Sequence, residues 1–229
     1  MKIEIPAHIK TIRFDIGLSY CAPNSAYWLN ENNKDLYVIA VEPNASCVEG
    51  IQKSGIYCNP HNIQPFKSDN FYLMHCALDN VQEAEMKPFY NMSGDVGTSS
   101  LLKPTNSLHY TVDSVTDVLT VSLKSILDQI PWDRFEYIEL VKIDTQGKDL
   151  DILKSAESYL ERIAFITCEV NTFDHYENNP KPFEFHEYLS KAGFIKVQEN
   201  SRVNNEAVDI TFVNQKYQHL LNTVNYYTL

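Results

Sequence analysis

The chain has 229 residues, with 19 lysines and arginines against 30 aspartates and glutamates, and a net charge of −11. This length suits one α/β domain, and hydrophobic residues at 44% are enough to build a core. The acidic balance argues against a nucleic-acid backbone as the main partner, because such binding needs basic patches. The chain has no run of about 18 apolar residues, which predicts no membrane span.

The N-terminus and the cysteines favour a cytoplasmic location. Residues Met1–Pro6 lack the apolar core of a secretory signal. The cysteines are odd in number, and no two have the close spacing of a zinc site, so we expect free thiols and no bound metal. They are Cys21, Cys47, Cys58, Cys76 and Cys168.

The first strong element is Thr11–Ile16, a short apolar strand that contains Asp15 and is followed at once by Gly17. A helix from about Ala22 to Leu29 comes next. In an open α/β sheet, ligands bind beyond the carboxyl ends of the strands, and a glycine there lets the backbone approach a ligand closely. The segment therefore predicts a ligand crevice, although a plain strand–turn–helix with a packing glycine explains it equally well.

A second strand is predicted at Asp35–Glu42, and it ends in an acid. Its continuous apolar run is typical of a strand buried on both faces. Ser46–Glu49 has the spacing of a capping box and predicts the start of a helix. An acid at this strand end can accept hydrogen bonds from both hydroxyls of a ribose. We favour that role for Glu42 over a simple contact with the helix dipole.

A third strand is predicted at Asn70–Leu78, where the small side chain of Ala77 leaves room for a flat ring. A tightly packed strand end is the simpler explanation of this alanine. From about residue 79 to 121 the pattern is irregular, and such a long insertion is more often functional than inert. We expect it to form one wall or a lid of the site.

Two further predicted strands end in acids. Tyr137–Asp144 leads through a glycine turn into an amphipathic helix, and Ile163–Val170 carries Glu169 near its end. Packing alone explains poorly why four predicted strand ends carry carboxylates, which are Asp15, Glu42, Asp144 and Glu169.

The C-terminal part predicts a helix at Phe183–Ala192, which Gly193 ends. Two alternating segments, Phe194–Val197 and Val208–Val213, predict a closing antiparallel hairpin with its turn at Asn204 and Asn205. The tail from about residue 215 to 229 is polar, and its role is open. No Pro/Gly/Ser-rich linker divides the chain, so we expect a single domain over residues 1–229.

This order of elements resembles the class I S-adenosylmethionine-dependent methyltransferase fold. That fold is α/β and Rossmann-like, a mostly parallel seven-stranded sheet with a C-terminal antiparallel hairpin and helices on both faces. Val141–Lys154, with its lysine–isoleucine–aspartate strand end, glycine turn and leucine-bearing helix, is similar to the FkbM family. Val41–Asn44, Gly97–Leu101 and Val121–Leu127 are similar to further landmarks of that family, in the same order. The resemblance covers about residues 13–213.

The resemblance implies S-adenosylmethionine as cofactor, S-adenosylhomocysteine as product, and methylation of a hydroxyl on a sugar or small natural product. It implies that Asp15 and Gly17 line the methionine end, that Glu42 holds the ribose hydroxyls and that Ala77 borders the adenine. Asp144 matches the acid near the transferred methyl. The complete expected cofactor-binding set is Asp15, Gly17, Ser19, Glu42, Pro43, Ala77 and Asp144.

Methyl transfer requires an aligned acceptor hydroxyl and removal of its proton. Asp144 is the first candidate for the catalytic base. His175, in the loop beyond the Glu169 strand end, is the second, although an exposed loop histidine is the simpler interpretation. The expected partner is a small-molecule or glycan hydroxyl and not a nucleic acid. A homodimer is compatible with the sequence.

Two departures from the family pattern keep other functions open. Cys21 stands where the first-strand motif usually has a second glycine, and Gln146 stands where many relatives carry glutamate. Both would suit a non-catalytic binding or scaffolding protein that retains the fold. A nicotinamide-dependent oxidoreductase is a third interpretation, and the absence of G-x-G-x-x-G after the first strand disfavours it.

Overall fold

The computed structural model describes residues 3–30, 33–54, 64–201 and 206–226. The strands are β1 (Thr11–Ile16), β2 (Leu36–Val41), β3 (Phe71–Met74), β4 (Ala77–Leu78), β5 (Glu85–Met92), β6 (Val112–Val121), β7 (Ile138–Ile143), β8 (Ile163–Asn171), β9 (Phe194–Ser201) and β10 (Ala207–Asn214). The α-helices are α1 (Pro23–Asn30), α2 (Ala45–Ser54), α3 (Leu123–Leu127), α4 (Asp149–Lys154) and α5 (Pro182–Lys191). Short 3-10 helices include Val96–Thr98, Glu157–Arg162 and Gln215–Asn222.

The main sheet has seven strands in the order β3-β2-β1-β7-β8-β10-β9. Strand β10 runs antiparallel to both β8 and β9, and the other neighbouring strands are parallel. The sheet therefore has the predicted form, mostly parallel with an antiparallel C-terminal hairpin. The predicted hairpin turn at Asn204 and Asn205 lies outside the described residues.

Helices cover both faces of this sheet, as the sequence predicted. Every residue of β2 and β7 is buried, and alternate residues of β2 face different clusters, with Ile39 on one side and Val38 on the other. Helices α3, α4 and α5 pack on the Ile39 side. Helices α1 and α2 and the C-terminal 3-10 helix pack on the opposite side, where Trp28 and Tyr217 are buried.

The prediction of one strand over Asn70–Leu78 is wrong. Strand β3 ends at Met74, and Ala77 starts the separate strand β4. The chain divides because Cys76 packs into the core of the main sheet, whereas Ala77 packs against Phe89 and Val118. Ala77 therefore belongs to a second sheet and does not end a strand of the main one.

The second sheet has three strands in the order β4-β6-β5. Its long strands β5 and β6 form an antiparallel pair within the segment whose sequence pattern is irregular. Main-chain hydrogen bonds between Tyr90 and Ser100 tie the loop after β5 to the edge of this sheet. The insertion is thus an ordered body beside the main sheet.

The C-terminal segment docks on the face of the main sheet that α1 and α2 also cover. Tyr217 is buried, and Arg13 of β1 donates through Nη2 to the carbonyl oxygen of Asn225 at 2.7 Å. Arg13 also pairs with Glu139 of β7 at 2.6 Å. Within the described ranges, no helix has the length and apolar character needed to cross a membrane. Four cysteines there carry buried free thiols, and Cys58 lies outside the described residues.

Candidate active site

Four strand ends meet at one edge of the main sheet. Ile16 of β1 is in register with Val41 of β2 and with Ile143 of β7, and Ile143 is in register with Cys168 of β8. The residues that follow in sequence therefore lie side by side along the carboxyl edge, where open α/β sheets bind their ligands. These residues are Gly17, Glu42, Asp144 and Glu169.

Gly17 makes the sharp turn after β1 with a φ of +78°. A Cβ atom placed on it would lie 1.7 Å from the carbonyl oxygen of Asp144. Just before the turn, the carbonyl oxygen of Ile16 accepts a hydrogen bond from the Asp144 N–H at 2.9 Å. The ends of β1 and β7 are thus in direct backbone contact, and only glycine fits at this position.

Glu42 ties the loop after β1 to the end of β2. Its Oε2 accepts a hydrogen bond from the Ser19 N–H and its Oε1 accepts one from the Asn44 N–H, both at 2.8 Å. Ser19 itself has a left-handed φ of +62°, an uncommon conformation for a residue with a side chain. Burial raises the pKa of Glu42 to about 7, against the lowering effect of these two hydrogen bonds.

Asp15 lies beneath this edge and is 1% exposed. Its Oδ2 accepts hydrogen bonds from the N–H and the hydroxyl of Ser25 in α1, at 3.0 and 2.6 Å. Its Oδ1 is buried and has no hydrogen-bond partner among the described residues. Burial raises the pKa of Asp15, and the positive charge of Lys142 acts in the opposite direction. The side chain is not among the groups that line the two cavities described next.

An inner recess of about 40 Å³ opens beside the Gly17 turn. The main sheet contributes its floor, and the second sheet with its flanking loop contributes Phe89 and Leu101 to the opposite wall. The lining includes Gly17, Ser19, Glu42, Pro43, Ala77, Leu78, Phe89, Leu101, Asp144 and Thr145.

A wider outer cleft of about 460 Å³ lies next to the inner recess. Its volume is within the usual range for small-molecule sites. The two cavities share four lining residues, which are Gly17, Ser19, Gly97 and Asp144. The outer cleft is further lined by Tyr20, Asp95, His109, Tyr110, Lys142, Gln146, Glu169, Asn171, His175 and Glu206.

A buried lysine holds the acids of the outer cleft together. Lys142 of β7 is 4% exposed, and its ammonium group donates to Asp144 Oδ2 at 3.1 Å. Burial acts to lower its pKa, but the charges of Asp144, Asp15 and Glu169 outweigh burial and raise it. Lys142 therefore stays protonated as the counter-ion of these acids, and it has no role as a base.

Gln146 links the carboxylates of two adjacent strands. Its Nε2 donates to Asp144 Oδ1 at 2.9 Å and to Glu169 Oε1 at 3.0 Å. Its backbone is left-handed, with a φ of +55°, and its carbonyl oxygen accepts a hydrogen bond from the Ser100 hydroxyl at 2.8 Å. The Tyr176 hydroxyl lies 3.1 Å from Gln146 Oε1 and 2.6 Å from the Thr98 carbonyl oxygen. The insertion and the loop after β8 are thus both fastened to this glutamine.

A family model described as the methyltransferase FkbM domain matches residues 4–196. The chain belongs to the FkbM methyltransferase family. S-adenosylmethionine is therefore its cofactor, and the family assignment by resemblance is confirmed. The comparison with curated proteins gave no match.

Two solved structures illustrate the distant likeness of the fold. One is a protein of Clostridium thermocellum assigned as an rRNA methylase, with 11% identity, a TM-score of 0.49 and coverage of 90% of this chain and 87% of that chain. The other is magnesium protoporphyrin IX methyltransferase of Synechocystis PCC 6803 with bound S-adenosylmethionine. It has 9% identity, a TM-score of 0.46 and coverage of 91% and 72%. Neither likeness indicates which acceptor this FkbM-family chain uses.

The residues at the sheet edge fit S-adenosylmethionine in three respects. The Gly17 turn lets backbone line the recess where a Cβ would clash, and Glu42 presents a carboxylate at the end of β2. Each carboxylate oxygen of Glu42 accepts one hydrogen bond from the protein and has capacity for another. The recess and the outer cleft share Gly17, Ser19 and Asp144, so a ligand longer than the recess can extend into the cleft.

The structure corrects the simpler interpretation of His175. The side chain is 7% exposed and lines the outer cleft, so it is not an exposed loop histidine. Its carbonyl oxygen accepts a hydrogen bond from the Thr105 N–H at 2.8 Å, and its Nδ1 lies 3.4 Å from the Ser107 hydroxyl. These contacts come from the insertion, which is distant in sequence.

Sequence reasoning missed three contributors to the FkbM-family site. Lys142 is buried among acids, although a lysine in a strand is ordinarily expected to extend its charge to solvent. Tyr176 and the Ser100 hydroxyl were not singled out, and both contact Gln146. For Lys142 the signal was present, because a charged residue stands in a strand whose other residues predict burial on both faces.

Proposed function

We propose that the chain is a cytoplasmic S-adenosylmethionine-dependent O-methyltransferase that acts on a hydroxyl of a sugar, another glycan or a small natural product. The observation that carries this proposal is the junction at Asp144, which lines both the inner recess and the outer cleft. A cofactor that extends from the recess to its junction with the cleft, and an acceptor in the cleft, would meet beside this carboxylate. Methyl transfer depends on that alignment.

The inner recess, the strand ends around it and the adjoining part of the outer cleft at Gly17, Ser19 and Asp144 are the proposed cofactor site, because the recess alone is too small for the whole cofactor. The carboxylate of Glu42 accepts hydrogen bonds from the ribose hydroxyls, and Pro43 and Ala77 border the adenine. The loop at Gly17 and Ser19 holds the methionine end, with Asp15 buried below it. The contacts that Glu42 makes to Ser19 and Asn44 support this proposal, because they fix the carboxylate before any ligand arrives.

The outer cleft is the proposed acceptor site. Bound S-adenosylmethionine supplies an activated methyl group at the junction. We propose that Asp144 accepts a hydrogen bond from the acceptor hydroxyl and that His175 contacts the acceptor from the opposite side. Carboxylates favour hydroxyl groups and repel phosphates, which supports a neutral hydroxyl acceptor over a nucleic acid. The carboxylates that line the cleft are Asp95, Asp144, Glu169 and Glu206.

Calorimetric titration of S-adenosylmethionine and S-adenosylhomocysteine into the purified protein tests the cofactor site. We expect binding of both ligands, and an affinity about 100-fold lower in Glu42→Ala, because two hydrogen bonds to a charged group are lost. The matched control is Glu49→Ala, an exposed acid of α2 that pairs with Lys53, and its affinity should equal that of the wild type. Absence of heat for both ligands would refute the proposal and favour a scaffolding protein.

The affinity for S-adenosylhomocysteine is also expected to depend on pH. Since the pKa of Glu42 is raised to about 7, its carboxyl group is mostly protonated near about pH 6 and mostly ionised near about pH 8. Ribose hydroxyls donate to the ionised form, so affinity should rise roughly tenfold over this interval. Titrations at both pH values check this, with Glu42→Gln as the control whose affinity should stay constant. A wild-type affinity that falls as the pH rises would contradict the proposed ribose contact.

A further inference from the structure

The hydrogen bonds of Gln146 point to a second carboxylate at the transfer point. An amide nitrogen has two protons and no acceptor capacity, so Nε2 can serve two carboxylates at once. The structure uses both protons, one on Asp144 and one on Glu169. A glutamate at position 146 could not do this, because it would place a third negative charge between two acids.

We propose that Glu169 is a further catalytic residue, the acceptor of the hydroxyl proton, and that Gln146 is the positioning residue that holds it beside Asp144. The inference deepens the proposed function and rests on it. It assigns different duties to the two acids, since Asp144 orients the hydroxyl and Glu169 takes the proton.

The contacts of Asp144 explain this division. Its Oδ1 accepts from Gln146, and its Oδ2 accepts from the ammonium group of Lys142. A proton on Oδ2 would therefore end a buried ion pair, which is costly. Glu169 is held by Gln146 through Oε1 and lines the outer cleft, where an acceptor would bind.

The proposed step transfers one methyl group to the acceptor oxygen and one proton to Glu169. The acceptor oxygen gives a lone pair to the methyl carbon, and the electron pair of the broken carbon–sulfur bond stays on sulfur. The hydroxyl proton passes to the carboxylate of Glu169, which becomes a carboxylic acid and then releases the proton to water through the outer cleft.

The surroundings of Glu169 keep a negative charge at this point tolerable. Lys142 lies on the neighbouring strand β7, and its pKa is raised in part by the charge of Glu169. Asp209 of β10, directly opposite Glu169 in the antiparallel register, acts against this because it brings a further carboxylate to the same neighbourhood. Burial raises the pKa of Tyr176, with the charges of Asp144 and Glu169 acting in the same direction, so its phenol stays protonated. Among the described residues, Lys142 is thus a cation that offsets the charges of Asp144 and Glu169.

The backbone of Gln146 gives independent support. A residue with a side chain in the left-handed region is strained and persists where surrounding contacts hold it. Such conformations cluster at functional sites. Here the Ser100 hydroxyl holds the carbonyl oxygen of Gln146, and the adjacent Gly147 has a left-handed φ of +105°, which a residue with a side chain rarely adopts.

The test compares two cofactor analogues and needs no acceptor. Sinefungin carries an amine where S-adenosylmethionine carries its methyl group, whereas S-adenosylhomocysteine has no group there. An ammonium at the transfer point binds a nearby carboxylate, so Glu169→Gln is expected to weaken sinefungin about 10-fold and leave S-adenosylhomocysteine unchanged. Gln146→Met should weaken sinefungin by a smaller factor, because both acids remain but neither is held.

Calorimetry on the full chain gives both affinities, and their ratio is the readout, because a general loss of structure would weaken both ligands together. Glu199→Gln makes the same charge change on the distant strand β9 and should leave the ratio unaltered. Should Glu169→Gln fail to fold, Glu169→Asp decides the matter, since the shortened acid should lower the ratio while keeping the charge. An unaltered ratio in the Glu169 variant that folds overturns the inference. Failure of the wild type to bind either ligand instead removes the proposed function.

Discussion

Gly17→Ala is expected to lower the free energy of unfolding by about 3–5 kcal/mol and to abolish binding of S-adenosylhomocysteine. The new Cβ would lie 1.7 Å from the carbonyl oxygen of Asp144, which is backbone and cannot rotate away. The residue would also have to keep a φ of +78°, where a side chain is strained. The protein must therefore separate β1 from β7 or reshape the loop. Either change moves the strand end beside Asp144 and therefore distorts the proposed cofactor site.

Gly193→Ala is the matched control for this substitution. Gly193 follows α5 with a φ of +85°, but a Cβ there would meet no atom within 4 Å. Alanine at this position would therefore introduce backbone strain without a collision. The substitution should cost about 1–2 kcal/mol of stability and leave ligand affinity unchanged. Urea denaturation and calorimetry on both variants separate strain from collision. If both variants lost the same free energy of unfolding and Gly17→Ala still bound the ligand, a Cβ at position 17 would not collide with the Asp144 carbonyl oxygen, and the prediction would be wrong.

The parts of the fold that could be predicted are those whose burial is evident from the residues of the segment itself. Strands β2, β7 and β8 are buried on both faces, so each is a nearly continuous apolar run that ends where polar residues begin. The ends of these runs predict that Glu42 and Asp144 lie at one edge of the sheet. Parallel topology follows because strands separated by helices must return in the same direction.

Features that depend on contacts distant in sequence could not be predicted. Ala77 leaves the main sheet and pairs with Thr120 of β6. Because Thr120 is far along the chain, the residues around Ala77 do not reveal this pairing. His175 is buried by residues around Thr105, about which its own neighbours carry no information. Gln146 has a defined role only because Glu169, on the next strand, comes within 3.0 Å of its amide nitrogen.

Lys142→Met is expected to lower the free energy of unfolding by about 3–5 kcal/mol near about pH 8, and by clearly less near about pH 5. Methionine keeps most of the volume of the side chain but removes the ammonium group that pairs with Asp144. The acids at this edge then lose the ammonium group that offsets their charges. Breaking one partner out of a buried pair is costly for this reason.

The pH dependence of this loss follows from the direction of each pKa change. In the wild type the pKa of Lys142 is raised, so its contribution is complete below the unfolded value of about 10.4 and is lost only as the pH rises through the higher folded value. Lys142 is thus fully charged across the interval tested. In the variant, the acids no longer have the ammonium group beside them, so their pKa values rise. They take up protons as the pH falls, which stabilises the folded state at acid pH. The difference between wild type and variant should therefore narrow toward about pH 5.

Urea denaturation of both proteins at the two pH values measures this difference, and Lys124→Met is its control. Lys124 pairs with Asp128 on the exposed face of α3, where solvent screens the charges, so its removal should leave stability nearly unchanged at either pH. A loss in Lys142→Met that is the same at both pH values would mean that the ammonium group does not offset the charges of acids that titrate between these pH values. A loss confined to the higher pH would establish that this lysine is what allows Asp15, Asp144 and Glu169 to stand charged at one edge of a buried sheet.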